Sequence, residues 1–199
     1  MSVKIIAGKF KGITLEVPES ARPTLAKNRQ SLFDMIESLD TSSLKLSHQN
    51  KFGEFFKGLV VLDCFAGSGA LGIEALSRGA SHAYFVDNDK QAVATIKDNI
   101  LKIKEENSAT ILCTSIEKLK NFEKYKPARV DVAFLDPPYE KFALEEVVKN
   151  LRNINWIDEN TLLISETRAQ KSTSTFSENF QILKSKKIGI SEFTIAIYA

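Results

Sequence analysis

The tetrapeptide Asp136-Pro137-Pro138-Tyr139 follows the apolar run over residues 130–135, so an acid, a rigid turn and an aromatic ring stand at the end of an expected buried strand. Two successive prolines fix their own φ angles, offer no N–H donors and leave the carbonyls of Asp136 and Pro137 to face a ligand. Such a corner is an acceptor site for an amino group, and Tyr139 can stack on a flat base. A strand that simply stops at proline has the same spelling, so the corner gains meaning only from its partners.

Those partners lie upstream. Asp63 ends an apolar run and precedes the turn Phe65, Ala66, Gly67, Ser68 and Gly69; together with Gly72 the glycines satisfy GxGxxG. Asp87 ends the next expected strand 18 residues after Gly69, close to the ~20 at which an acid meets a ribose in dinucleotide-binding folds. A nucleoside-bearing cofactor follows, and Asp63 narrows its type. A pyrophosphate there would meet like charge. The ammonium and sulfonium of S-adenosylmethionine would instead be welcomed by a carboxylate, each charged hydrogen bond contributing ~1.5–3 kcal/mol.

These residues need a sheet to hold them. From Leu59 the pattern repeats strand then helix, with strands expected at 60–64, 83–87, 110–113, 132–136, 161–166, 180–186 and 193–198, and helices at 69–78, 90–103, 116–121 and 144–150. This predicts a doubly wound α/β fold. The last two strands have no helix between them and are expected as an antiparallel hairpin at the sheet edge. Upstream, residues 3–7 and 13–17 read as a β-hairpin with little core of its own. Leu25, Leu32, Phe33, Ile36 and Leu39 then recur at helical spacing after Thr24, a fitting N-cap, as far as Asp40. Residues 41–53 are polar and uneven, as in a surface loop or a partly disordered insertion. The chain divides into an N-terminal basic β-hairpin arm, 1–23, and a cofactor-binding domain, 24–199.

With 199 residues, 43% of them hydrophobic, the chain fits one compact domain with a short appendage. A net charge of +2 is too small to draw nucleic acid by itself, but within the first 30 residues Lys4, Lys9, Lys11, Arg22, Lys27 and Arg29 are opposed only by Glu16 and Glu19. Cys64 and Cys113 lie far apart without CxxC spacing or a histidine cluster, so no metal and no disulfide are expected, only two reduced, buried residues. Lysines interrupt the first apolar run, and no apolar stretch approaches the ~18 residues of a membrane span. A soluble, cytoplasmic chain without membrane contact is expected. His48 and His82 lack partners, and Trp156 reads as a packing residue.

Arg22-Pro23-Thr24, Leu32-Phe33, the run from Leu62 to Ala80 and Asp136-Pro137-Pro138-Tyr139 together resemble the RsmD family, bacterial 16S rRNA guanine-N2 methyltransferases, over nearly the entire chain. The resemblance implies a class I S-adenosylmethionine-dependent methyltransferase, Rossmann-like, with a seven-stranded sheet. It places Asp63 with Phe65, Ala66, Gly67, Ser68 and Gly69 on the methionine part of the cofactor, Asp87 at the ribose hydroxyls, and Thr114 and Ser115 against the adenine; Asn88 is also expected to bind the cofactor. The substrate it implies is 16S rRNA or an assembling small ribosomal subunit. Lys9, Lys11, Arg22, Thr24, Lys27 and Arg29 are the expected RNA contacts, and a monomer is expected because no extra apolar helix is evident. Ala26 and Gln30 stand where the family commonly has acids, Thr114 and Ser115 replace Asp or Asn followed by Ala, and the 41–53 loop is longer than the family pattern.

An exocyclic base amine is a weak nucleophile, because its lone pair delocalises into the ring. Orientation must compensate. With the Asp136 side chain and the Pro137 carbonyl accepting its hydrogens and Tyr139 stacking on the ring, the lone pair can be aimed at a cofactor methyl. Positioning supplies on the order of 7–11 kcal/mol, so neither metal nor strong base is required. The target must be unpaired or turned out of its stack. Three other readings share some of these features. A DNA adenine-N6 methyltransferase is opposed by the lack of a separate DNA-recognition domain. A catalytically inactive RNA-binding or ribosome-assembly module is opposed by the complete set Asp63, Asp87 and Asp136. A nicotinamide oxidoreductase is disfavoured by Asp63 and the terminal hairpin.

Overall fold

The computed structural model describes residues 1–19, 26–42, 44–47, 53–136, 144–168 and 179–198. The chain begins with β1 (Ser2–Lys4), β2 (Thr14–Glu16) and α1 (Ala26–Glu37). There follow β3 (Val60–Cys64), α2 (Ala70–Ser77), β4 (His82–Asp87), α3 (Lys90–Ile103), β5 (Ala109–Cys113), a 3₁₀ segment (Ile116–Tyr125) and β6 (Val132–Leu135). The chain closes with α4 (Leu144–Asn153), β7 (Leu162–Arg168), β8 (Phe180–Ile188) and β9 (Ser191–Tyr198). All seven expected strands of the domain form, in one sheet of order β5-β4-β3-β6-β7-β9-β8. Pairing is parallel from β5 to β7 and antiparallel for β9 against both β7 and β8. The terminal hairpin is at the edge as expected, with β8 outermost and β9 inserted beside β7.

Alternation along the strands sends Val61, Phe85, Phe134, Ile164 and Ile195 into a core shared with α1, α2 and α3. Leu62, Val86, Leu135 and Leu163 line the other face with the 3₁₀ segment, α4 and Trp156, whose indole is buried edge-on against Tyr84. Both layers cover the central strands, which is why these read as continuous apolar runs. Cys64 is buried, but Cys113 is exposed, contrary to expectation, because it ends the outermost parallel strand.

The N-terminal hairpin solves its lack of a core by docking. Ile5, Phe10 and Leu15 are buried in the main cluster, and the backbone N–H groups of Ile6 and Ala7 donate to the Glu74 carboxylate at 2.7 and 3.0 Å. Lys9 N donates to the Ser77 carbonyl at 2.7 Å. Because α2 starts at the carboxyl end of β3 and runs back along it, Ser77 and the hairpin tip lie at the amino end of the sheet.

The 41–53 insertion is anchored where it is described. Ser47 donates to Asp131 Oδ1 through its N–H at 2.8 Å and its hydroxyl at 2.5 Å, while Val60 N donates to Oδ2 at 2.9 Å. Asp131 is fully buried at the start of β6 and thereby ties this loop to the first residue of β3.

Candidate active site

The chain order runs outward from β3 through β4 to β5, then returns to β6 on the other side of β3. The sheet therefore has its switch point between β3 and β6, where open α/β sheets bind ligands beyond their carboxyl ends. Asp63 pairs in register with Phe134, so Asp63 and Asp136, two residues beyond Phe134, flank this crevice on the same face.

The glycine turn is shaped around Asp63. Phe65 has φ +60, an uncommon value for a bulky residue, and Gly67 and Gly69 have φ +55 and +74. Gly69 opens α2 in this left-handed conformation, which turns the chain sharply from strand into helix. Gly72 N donates to Asp63 Oδ2 at 2.9 Å. A Cβ on Gly72 would lie 2.4 Å from Phe85 Cε1 and 3.2 Å from that same oxygen, so the helix can approach the acid only through a glycine.

Asp63 is 3% exposed. Burial pushes its carboxyl up to about 8, against the Gly72 N–H, with the nearby charges of Asp136 and Asp87 adding to the rise. A cationic group in the crevice would relieve all three effects. The residues therefore fit the amino-acid end of S-adenosylmethionine: a buried carboxylate, a glycine cradle that a side chain would fill, and flanking acids.

The remaining expected cofactor residues gather at neighbouring strand ends. Asp87 accepts Gly67 N at 2.8 Å and Asp89 N at 2.9 Å, which fixes the loop across β3 and β4. Thr114 is buried and donates its N–H to the Asp87 carbonyl at 2.9 Å; Ser115 is half-buried beside it, and Asn88 is exposed. Ala66 is buried and Ser68 half-buried in the turn.

Asp136 is half-buried just past β6. Burial pushes its carboxyl up to about 7, and the charge of Glu166 adds to the shift. Glu166, on β7, was not legible as a site residue. Leu135 pairs with Ser165, so Glu166 is the next position along β7, beside Asp136. The Ser191 hydroxyl donates to Glu166 Oε1 at 2.6 Å. Pro137, Pro138 and Tyr139 lie outside the described residues, as do Arg22, Thr24 and His48.

The expected RNA contacts separate in space. Lys9 and Lys11 are on the hairpin tip, where Lys9 pairs with Glu105 at 2.6 Å, at the end of the sheet away from Asp136. Lys27 is exposed in the first turn of α1. Arg29 requires correction: it is 1% exposed, and its Nη2 donates to the Lys4 carbonyl at 2.6 Å. It holds the hairpin against α1 and is not a surface contact, because its position in the helix faces the core. His82 has a local partner, Thr110 Oγ1 at 2.9 Å.

No group of three or more potential metal ligands occurs among the described residues, and no described helix is long and apolar enough to cross a membrane. The chain matches the family described as conserved hypothetical protein 95 over residues 3–197. It is 34% identical over 197 residues to the ribosomal RNA small subunit methyltransferase D of Haemophilus influenzae, covering 97% of this chain and 92% of that protein. The protein of the same name from Escherichia coli is 28% identical, with coverage of 94% and 85%. A solved hypothetical protein of Thermus thermophilus superposes with a TM-score of 0.73 at 26% identity, over 99% of both chains. The 16S rRNA N2 methyltransferase RsmC of Thermus thermophilus, solved with AdoMet and guanosine, shares the fold at 18% identity and a TM-score of 0.69, covering 100% of this chain and 50% of that one. The sheet with its terminal hairpin is thus that of the class I methyltransferases, and the chain belongs to the conserved hypothetical protein 95 family, which includes the ribosomal RNA small subunit methyltransferase D proteins.

Proposed function

We propose that this protein transfers a methyl group from S-adenosylmethionine to the exocyclic N2 amine of a guanine in 16S rRNA. The observation that carries this reading is the placement of Asp136 beside Asp63 across the switch point of a sheet belonging to this family. When bound, S-adenosylmethionine supplies an electrophilic methyl. Asp63 and the turn from Phe65 to Gly69 would hold its methionine part, Asp87 its ribose, and Thr114 and Ser115 its adenine, with Asn88 also at the cofactor. Asp136 accepts a hydrogen of the target amine, orients the lone pair and receives or relays the proton afterwards. The Pro137 carbonyl is the second acceptor and Tyr139 the stacking ring, with Pro138 stiffening the turn between them. RNA is held by Lys27, exposed in the first turn of α1, with Arg22 and Thr24 just before it in the chain, whereas Lys9 and Lys11 reach only flanking RNA. The protein acts as a cytoplasmic monomer on rRNA or on an assembling small subunit.

The test offers labelled S-adenosylmethionine and purified protein to protein-free 16S rRNA, assembled small subunits and DNA. Label on guanine N2 of 16S rRNA is the expected result, and the substrate that accepts it distinguishes naked RNA from the particle. Label on DNA adenine, or RNA binding without transfer, would overturn the reading.

A further inference from the structure

Asp136 alone accepts any flat amine, and leaves open why guanine is chosen over adenine. The adjoining strand supplies a second acceptor. β6 and β7 are parallel, with Phe134 opposite Ile164 and Leu135 opposite Ser165, so the next residues, Asp136 and Glu166, stand side by side at the carboxyl edge. Adjacent strands are ~4.8 Å apart. Alternation puts Glu166 on the face of Ile164 and Phe193, the face that also carries Asp63. The carboxylate is held in orientation: Ser191, the first residue of β9, donates to its Oε1 at 2.6 Å. Burial, the larger effect, raises the Glu166 carboxyl, and the Ser191 hydroxyl favours its charged form.

Two carboxylates side by side at a half-buried edge repel one another, and complementary donors relieve that repulsion. The Watson–Crick edge of guanine presents adjacent donors, N1–H and the N2 amine. Adenine presents an acceptor at N1 next to its amine, and that acceptor would face a carboxylate.

We infer that Glu166 is a specificity-determining residue that accepts the guanine N1–H while Asp136 holds the N2 amine, with Ser191 positioning the Glu166 carboxylate. This rests on the guanine-N2 reading above. It adds the acceptor that excludes adenine, and assigns to β7 and β9 a part in reading the base.

The probe is 16S rRNA made by splinted ligation with either guanine or 2-aminopurine at the methylated position, assembled into small subunits. 2-Aminopurine keeps the amine but replaces N1–H with an acceptor and lacks O6, so the decisive quantity is the change in the ratio between the unsubstituted protein and each variant. The unsubstituted protein is expected to methylate guanine about 10- to 100-fold faster than 2-aminopurine in kcat/KM, the ratio corresponding to one charged hydrogen bond. Glu166→Gln, whose amide can donate to N1 of 2-aminopurine, should slow reaction at guanine and collapse that ratio towards one. Ser191→Ala should lower the ratio by a smaller factor. Equal losses on both substrates with the ratio retained would overturn the role of Glu166 and leave it a structural residue, as would no change at all. Failure of the unsubstituted protein to methylate guanine both in the ligated 16S rRNA and in the subunits assembled from it would overturn the underlying reading instead. Thermal midpoints of both variants separate misfolding from a change in selectivity.

Discussion

The side-chain amide of Asn99, on α3, donates to the Ser68 carbonyl at 3.0 Å and so braces the glycine turn from the helix that follows β4. The same amide donates to the Glu16 carbonyl at 2.9 Å, and its Oδ1 accepts Glu16 N at 2.9 Å. One fully buried residue thus joins the N-terminal hairpin to the glycine turn. Asn99→Leu keeps the branched shape but leaves these backbone groups unmatched, at ~1–3 kcal/mol for the Ser68 carbonyl and less for the two groups of exposed Glu16, which water can reach. We expect a stability loss of about 2–4 kcal/mol in urea titrations. Cofactor affinity should weaken roughly tenfold by calorimetry, since ~1.4 kcal/mol of lost preorganisation suffices. Normal cofactor affinity in a folded variant would show that Ser68 needs no brace.

Glu74 performs the corresponding task at the other end of the hairpin. It is 1% exposed and accepts Ile6 N, Ala7 N and, at 3.0 Å, Arg78 Nε. Glu74→Ala leaves the nearly buried Arg78 guanidinium with only the longer Glu37 contact at 3.6 Å and strands two backbone donors, and should cost about 3–5 kcal/mol. Glu74→Gln keeps one acceptor and should cost less. Hydrogen exchange at Ile6 and Ala7 is the direct check: protection should fall there before the central strands are affected, and unchanged protection would contradict the docking role.

Stability and activity should respond to pH with opposite signs. Asp63 is raised to about 8 and Asp136 to about 7. An acid with a raised folded pKa keeps its proton in the native state after the unfolded chain has released it. The native state therefore binds more protons from roughly pH 4 upwards, and stability is lost as pH rises through that window to about 8, at up to ~1.4 kcal/mol per pH unit for each group. If Asp136 is the ionised acceptor proposed above, kcat/KM for RNA, read with S-adenosylmethionine saturating so that Asp63 adds no second limb, should rise through about 7 and level off. Asp136→Asn should abolish that limb and lower the rate by about 10²–10³-fold. A flat profile for the unsubstituted protein would remove Asp136 from the proton-accepting role.

Periodicity made the sheet legible because the central strands are buried on both faces, and Asp63, the glycine turn and Asp87 were legible because each ends such a strand. The hubs were not. Glu74 and Asp131 read as ordinary charged residues in a helix and before a strand, since their partners lie 68 and 84 positions away in Ile6 and Ser47. Glu166 was hidden for the same reason: only the register of β6 on β7 places it next to Asp136. Arg29 misled in the other direction. Its charge suggested a surface, but Phe33, one helical turn later, is fully buried, and the same helix face carries the guanidinium inward to Lys4.

The two ends of the sheet should also divide the basic residues by substrate. The Glu37 carboxylate at the end of α1 lies 3.6 Å from Arg78, at the amino end of the sheet, and the 12-residue helix carries Lys27 away from it. β8 likewise runs towards the crevice end, where Ser191 pairs with Ile188 and Arg168, and brings exposed Lys186 and Lys187 with it. Lys9 and Lys11 remain at the far end. On a short rRNA fragment centred on the methylated guanine, Lys27→Ala, Lys186→Ala and Lys187→Ala should each weaken binding several-fold. Each lost phosphate contact should also flatten the salt dependence by about 0.7–0.9 in slope. Lys9→Ala and Lys11→Ala should leave binding to that fragment unchanged and act only on full-length rRNA or assembled subunits. Filter binding at several salt concentrations reads both quantities. A loss of fragment binding on substituting Lys9 or Lys11 would mean that RNA wraps from the crevice to the hairpin tip, and would reverse this division.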